Sequence, residues 1–264
     1  MLKGAAHVHS TYSDGEFTLA ELRQIFLDEG CAFVCMTDHA QYFDQELLQK
    51  YIAECESLSD SKLFFVAGLE YECEKRMHIL GYGATHLIES TDPETVIAEI
   101  EQQGAVSVIA HPKNEFFDWI EGFRILPQGI ETWNSKYDGR YAPRPETFAL
   151  LQNLSKRRPE MHAFYGQDLH WKKQCRELFV EIESVPGNRQ DVLAAFSEGH
   201  YRGMKGELVL PSSGALEEAQ IANFASAHAF SYKMWRFLKG GKQVLDRVGI
   251  SVPESVKSHL RRIF

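Results

Sequence analysis

Short apolar runs, many of them closed or followed by a histidine or a carboxylate, recur along most of this 264-residue chain. His7-Val8-His9 ends the first run and is followed by Ser13-Asp14-Gly15. Thr37-Asp38-His39, Gly68-Leu69-Glu70, His78-Ile79-Leu80-Gly81-Tyr82, Ala110-His111-Pro112 and Asp168-Leu169-His170 come after it in order. Six of the eleven histidines fall in these clusters. A run of four to eight apolar residues reads as a buried strand. Strand ends that all carry His, Asp or Glu point to one metal centre gathered from distant parts of the chain.

Helix-length segments separate the runs. Ala5–His9, Ala32–Thr37, Leu63–Leu69, His78–Gly81, Ala105–Ala110, Gly129–Thr132, His162–Gly166 and Phe179–Ile182 read as strands. Thr18–Gly30, Phe43–Leu58, Pro93–Gln103, Pro143–Lys156 and Asn188–Gly199 read as helices. Thr18 and Glu21 have the spacing of a capping box, and Gly30 and Gly104 stand where helices stop. Repeated strand-then-helix units predict a parallel sheet. Roughly seven or eight units in about 200 residues predict a closed (β/α) barrel, whose active groups sit at the carboxyl ends of strands. An open doubly wound sheet is the alternative, but it gathers ligands at a single switch point. The expected division is a barrel over residues 1–210 and a helical C-terminal extension over residues 211–264.

The formal charge of −9 disfavours extended nucleic-acid binding. Met1-Leu2-Lys3 leads straight into a motif-bearing strand with no apolar leader, and no run is long enough to cross a bilayer. Five cysteines without framework spacing predict free thiols and a cytoplasmic setting. Cys31 and Cys35 read as buried thiols and not as half a zinc site. Residues 233–264 carry eight Lys/Arg against Asp246 and Glu254. Such a tail suits docking to an anionic membrane or an acidic partner, or a helix that closes one end of the barrel with its charges solvated.

Residues i and i+2 of a strand share a face, so His7 and His9 can bind one ion. A buried Glu70 needs a cationic partner. Six imidazoles and three carboxylates without a thiolate suit Mn, Fe or Zn. Two such ions can activate water and clamp the attacking and leaving oxygens of a phosphate ester. Asp38 is expected to orient a neighbouring histidine through its second N–H.

The motif order H-x-H-S, S-D-G, T-D-H, G-x-E, H-x-L-G-Y, A-H-P and D-x-H resembles the PHP family, named for polymerase and histidinol phosphatase. The resemblance covers about residues 5–205. It implies a distorted (β/α)7, TIM-like barrel and hydrolysis of phosphate esters by a metal-bound hydroxide at a centre of two or three divalent ions. It further implies that His7, His9, Glu70 and Asp168 hold the first ion. Glu70 would bridge to a second ion held by His78 and His111, and Asp14, His39 and His170 would hold a third. Glu70, Asp168 and His170 are the expected catalytic residues. Lys113 and Arg140 could reach a phosphate, whereas Glu131 and Asn134 match positions that shape the pocket. Gln167 departs from the small residue common before the D-x-H. The implied substrate is a small phosphorylated molecule. A regulatory module without catalysis and a metal-dependent C–N hydrolase are the competing classes.

Overall fold

A computed structural model describes residues 1–137, 143–174, 177–183 and 188–227, with Lys233 and Phe237. The chain divides into two compact units, Met1–Leu216 and Glu217–Phe264. In the second, the helix Glu218–Ala227 is described; apart from Lys233 and Phe237, the basic segment beyond it lies outside the described residues, as do Arg140 and Cys175 of the first unit.

The first unit opens with β1 (Leu2–Val8), α1 (Leu19–Asp28), β2 (Phe33–Met36) and β3 (Asp38–His39). α2 (Gln45–Ser57), β4 (Phe64–Val66), β5 (Gly68–Glu72) and β6 (His78–Tyr82) follow. The middle holds α3 (Pro93–Gln102), β7 (Val106–Ala110), α4 (Phe117–Glu121), β8 (Gly129–Asn134), α5 (Pro145–Leu154) and β9 (His162–Gly166). β10 (Phe179–Ile182), α6 (Arg189–Glu198), β11 (Tyr201–Lys205), β12 (Leu208–Pro211) and, in the second unit, α7 (Glu218–Ala227) complete the order.

Local chemistry sets the helix starts. The Thr18 hydroxyl accepts from the Glu21 amide and the Glu21 carboxylate accepts from the Thr18 amide, the reciprocal cap expected from the sequence. Asp44, Asp92 and Asn188 cap α2, α3 and α6 through their side-chain oxygens. α1 buries one apolar stripe, Leu19, Leu22 and Phe26, and α2 and α3 do the same with Leu48, Tyr51 and Cys55 and with Val96, Ile97 and Ile100. Phe164, Phe196 and Tyr201 interlock with ring centroids 5.1–5.4 Å apart. Burial of each such ring stabilises by roughly 1.5–3 kcal/mol.

The strands form two six-stranded sheets, in the orders β12-β11-β10-β1-β2-β4 and β3-β5-β6-β7-β8-β9. This is a mixed α/β fold; in place of the closed parallel barrel expected from the sequence, the strands form two mixed sheets. β6 runs antiparallel to both of its neighbours. The physical cause is the short Cys73–Met77 link between β5 and β6, which cannot hold a crossover helix and makes a hairpin instead. β10, β11 and β12 pair antiparallel in succession, with β10 also antiparallel to β1. The β11–β12 hairpin at Gly206-Glu207 was not expected from the sequence. Leu63–Leu69 breaks into β4 and β5 around Ala67.

The two sheets meet beside the motifs. Only Thr37 separates β2 from β3, so one stretch of chain passes from the first sheet to the second. The segment after β9 lies against the end of β1, with Gln167 N–H donating to Ala6 O (2.9 Å), Leu169 N–H to His7 O (3.1 Å) and His9 N–H to Leu169 O (3.0 Å). These bonds bring Asp168 and His170 beside His7 and His9, although more than 150 residues of chain separate them.

Candidate metal centre

β1 carries a bulge. The β1–β2 register shifts between Ala6 and Val8, and His7 is the extra residue, with φ at +60°. His7 and His9 do face one site, but across a bulge and not through the plain alternation expected. His111 (φ +27°) and Asp168 (φ +49°) also have left-handed backbone. Each such non-glycine residue costs on the order of 1–3 kcal/mol, and such strain concentrates at functional sites. Three of the nine expected ligands are strained in this way.

Glu70 is the hub. It lies inside β5, not at its end, and is 1% exposed. Its Oε2 faces His9 Nε2 at 3.2 Å, His39 Nδ1 at 3.3 Å and His7 Nε2 at 3.4 Å. Its Oε1 meets His78 Nδ1 at 2.7 Å and His111 Nε2 at 3.2 Å. Asp168 Oδ1 lies 3.1 Å from His170 Nδ1, 3.5 Å from His9 Nε2 and 3.6 Å from His7 Nε2. Asp14 Oδ1 sits 3.3 Å from His170 Nε2 and 3.6 Å from His39 Nε2. All nine expected ligands therefore converge.

Four overlapping groups of these residues could each hold an ion: His9, Asp14, His39 and His170; His7, His9 and Asp168; His7, Glu70 and His111; and His39, Glu70 and His78. Within each group the candidate donor atoms lie within 4.8 Å of one another. This grouping differs in detail from the resemblance. His9 also joins Asp14, His39 and His170, while His78 and His111 approach Glu70 Oε1 in separate groups. The donors fit metal ions on a second ground. His9 Nδ1 is buried without a hydrogen-bond partner, and His9 Nε2 and His39 Nδ1 face Glu70 Oε2 without forming a hydrogen bond, a costly state that ligation would relieve.

Without metal, charge is shared among the side chains. Burial opposes ionisation of Glu70, but His7, His78 and His111 hold its carboxyl well below the usual range. Asp168 is likewise held down, against burial, by His7, His170, Lys136 and His111. Burial lowers His7 less than Glu131, Asp168 and Glu70 raise it, so it titrates well above an ordinary imidazole. His170 is lifted to about 9, with hydrogen bonds to Asp14 and Asp168 outweighing burial. Burial pushes His9 down to about 3, and Glu70 offsets only part of that.

The surrounding contacts fix the ligands. Glu131 is fully buried and takes His7 Nδ1 at 2.8 Å, the His111 amide at 2.9 Å and Asn134 Nδ2 at 2.8 Å. An imidazole whose second nitrogen is held by a carboxylate is fixed in tautomer and orientation. Glu131 and Asn134 thus support ligands from beneath. Gly166 makes room for this: a Cβ there would overlap Glu131 Oε1 and lie 2.8 Å from His7 Cβ. Gly166→Ala is expected to destabilise the fold by roughly 1–3 kcal/mol and to lower metal content with it. Urea unfolding together with metal analysis checks both; an unchanged metal content would separate the Glu131–His7 contact from the site.

Other expectations fare differently. Asp38 orients no histidine; it accepts from Ser10 N–H (2.8 Å), Ser10 Oγ (2.9 Å) and Ser13 Oγ (2.6 Å), and so holds the loop that presents Asp14. Burial, opposed by those bonds, pushes its carboxyl up to about 6. Lys113 is exposed and reaches Glu115 at 3.8 Å. The Gln167 side-chain Nε2 donates to Leu178 O (2.8 Å), so this departure braces the backbone before Asp168. Cys31, Cys35, Cys55 and Cys73 are free and buried, and burial lifts the Cys31 and Cys73 thiols to about 12. Sequence reasoning missed Lys136, whose Nζ lies 3.2 Å from Asp168 Oδ1 and 3.2 Å from His170 Nδ1. The signal was available, since Lys136 stands two residues past the end of β8.

No family model matches the chain. A two-domain protein from Bacteroides vulgatus, described as containing a predicted PHP-like metal-dependent phosphoesterase, shares the fold at a TM-score of 0.55 and 17% identity, over 85% of this chain and 69% of that one. PsfC from Pseudomonas syringae shares it at 0.52 and 15% identity, over 73% of this chain and 88% of PsfC. A segment of 41 residues is 42% identical to the DNA polymerase/3'-5' exonuclease PolX of Bacillus subtilis; it spans 16% of this chain and 7% of that protein's length. The chain thus shares its fold with a protein described as containing a predicted PHP-like phosphoesterase, in line with the motif resemblance. The nine motif residues meet at one candidate metal site on that fold.

Proposed function

We propose that the chain is a metal-dependent hydrolase of phosphate esters and a member of the PHP family. The observation that carries this reading is the Glu70 carboxylate faced by five imidazoles, with Asp168 beside it. That much basic nitrogen around buried carboxylates suits a multinuclear centre of Mn, Fe or Zn. The reading takes the strands as a distorted (β/α)7 barrel over residues 1–210 with a C-terminal extension, and the working setting as cytoplasmic. His7, His9, Glu70, Asp168, His78, His111, Asp14, His39 and His170 would hold two or three divalent ions. Such ions, when bound, supply an activated water and neutralise phosphate oxygens.

The side chains do the rest. Glu131 fixes the His7 ring and the His111 backbone. Asp14 is 40% exposed on its side chain, which leaves the Asp14–His170 end of the cluster open to a substrate. His170 sits there between Asp14 and Asp168, where it would either help hold a third ion or, with that ion absent, hold a proton near a departing oxygen. Every expected ligand position is filled, which favours catalysis over a degenerate binding module.

The test is metal analysis of purified protein, then a screen for phosphate release from monoesters and nucleotides with added Mn, with ammonia release from amides and amidines run in parallel. Bound metal with phosphate release is the expected result. Substoichiometric metal without phosphate release would sink the reading, and ammonia release alone would move it to C–N hydrolysis.

A further inference from the structure

Large aromatic side chains are mostly buried in Met1–Leu216. Among its described residues, the strongly exposed ones are Tyr42, Tyr137 and Trp171, at 51%, 55% and 46%. All three stand against histidines of the candidate metal centre. Tyr137 packs on His111 with ring centroids 4.5 Å apart, Trp171 on His170 at 5.7 Å and Tyr42 on His39 at 6.2 Å. Core packing does not account for rings half open to solvent. Chance scatter over the surface would not place all of them at one mouth. Lys136 joins two of them, with its ammonium 5.0 Å from the Tyr137 ring centroid and 5.2 Å from that of Trp171. The same ammonium is 3.2 Å from Asp168 Oδ1. A cation and two open aromatic faces thus border the ligands on one side.

We propose that Tyr137, Trp171 and Lys136 form a specificity subsite for a substrate that carries a flat aromatic or heteroaromatic ring close to its phosphate. This rests on the phosphoesterase reading and adds the chemistry of the organic group. Exposed aromatic faces recognise planar rings by stacking, which tolerates many ring types. The Lys136 ammonium offers donors to phosphate oxygens that arrive beside Asp168. The short distance from these rings to the cluster imidazoles favours a ring on or next to the ester oxygen over one held away by a sugar.

The experiment uses the metal-reconstituted full chain and three esters: naphthyl phosphate, a nucleoside 5′-monophosphate and hexyl phosphate. Trp171→Ala and Tyr137→Ala are expected to lower the naphthyl-to-hexyl ratio of kcat/KM about tenfold or more, mainly through KM, as loss of a stacked ring does. Trp171→Phe and Tyr137→Phe should restore most of the ratio. Lys136→Met should raise KM for all three esters, and Lys136→Arg should recover part of the loss. Calorimetric titration with non-hydrolysable naphthylphosphonate gives a readout without turnover, and its affinity should fall in Trp171→Ala. Equal effects on naphthyl and hexyl esters, or none, would overturn the subsite while leaving the hydrolase reading intact. Trp171-dependent phosphonate binding by a protein that hydrolyses no phosphoester would do the reverse. A preference for the nucleotide over the naphthyl ester would overturn the close placement of the ring.

Discussion

Glu70→Gln is expected to remove metal and activity together while the fold survives. Glutamine keeps the shape of Glu70 but loses the charge that faces five histidines. Changes to groups that merely support a ligand lower metal affinity or activity by about 10–100-fold, so loss of the shared carboxylate should exceed about a hundredfold. The substitution is also informative without metal. Glutamine at this position does not titrate, and His7 and His78 lose a carboxylate that raises them. Circular dichroism would show whether the fold persists, metal analysis would give the ions lost, and phosphate release would follow activity. Retained activity with full metal content would overturn the shared role of Glu70.

The second large effect is a reversal of pH dependence on stripping the metal. In the metal-free protein His7, His78 and His170 are raised above 6.5, His170 to about 9. A raised histidine stabilises the fold fully below its unfolded value and loses that contribution as pH climbs through its folded one. For His170 alone, 2% exposed, the shift corresponds to on the order of 3 kcal/mol. His9 and His39 are lowered, so they oppose stability only below about 6.5 and do not alter the window above it. Glu70 and Asp168 are depressed and contribute until pH falls through their folded values, at the acid end. Chelated protein should therefore lose stability between about pH 6.5 and 9. With ions bound, imidazoles must be deprotonated to ligate, so stability in the same window should hold or rise. Thermal melts across that range, with chelator and with Mn, give the two slopes. A rising slope in chelated protein would contradict the histidine–carboxylate charge sharing described above.

Much of the fold and site was legible in residue order alone. The Thr18–Glu21 box, the Asp92-Pro93 start of α3 and the apolar run of β7 are local signals, and local chemistry decides them. Ligand identity is equally local, because only certain side chains bind hard or borderline ions and they stand in recognisable pairs. The hairpin between β5 and β6 was less visible, since His78–Gly81 shows a strand but not its direction. The positive φ of His7, His111 and Asp168 left no trace in residue type. Asp38 was misassigned because its true partners, Ser10 and Ser13, differ little in sequence from any other loop serines.

The sequence by itself determined which nine residues are chemically able to ligate, and that strands and helices alternate between them. Only the tertiary structure decided that Glu70 sits at the centre, that Glu131 fixes His7 and His111 from beneath, and that Lys136, Tyr137 and Trp171 border the site. The reason is range. Propensity and capping act over a few residues, whereas the meeting of Asp168 with His7 depends on backbone bonds between the segment after β9 and the end of β1. That pairing is set by the packing of the whole unit and by no local pattern.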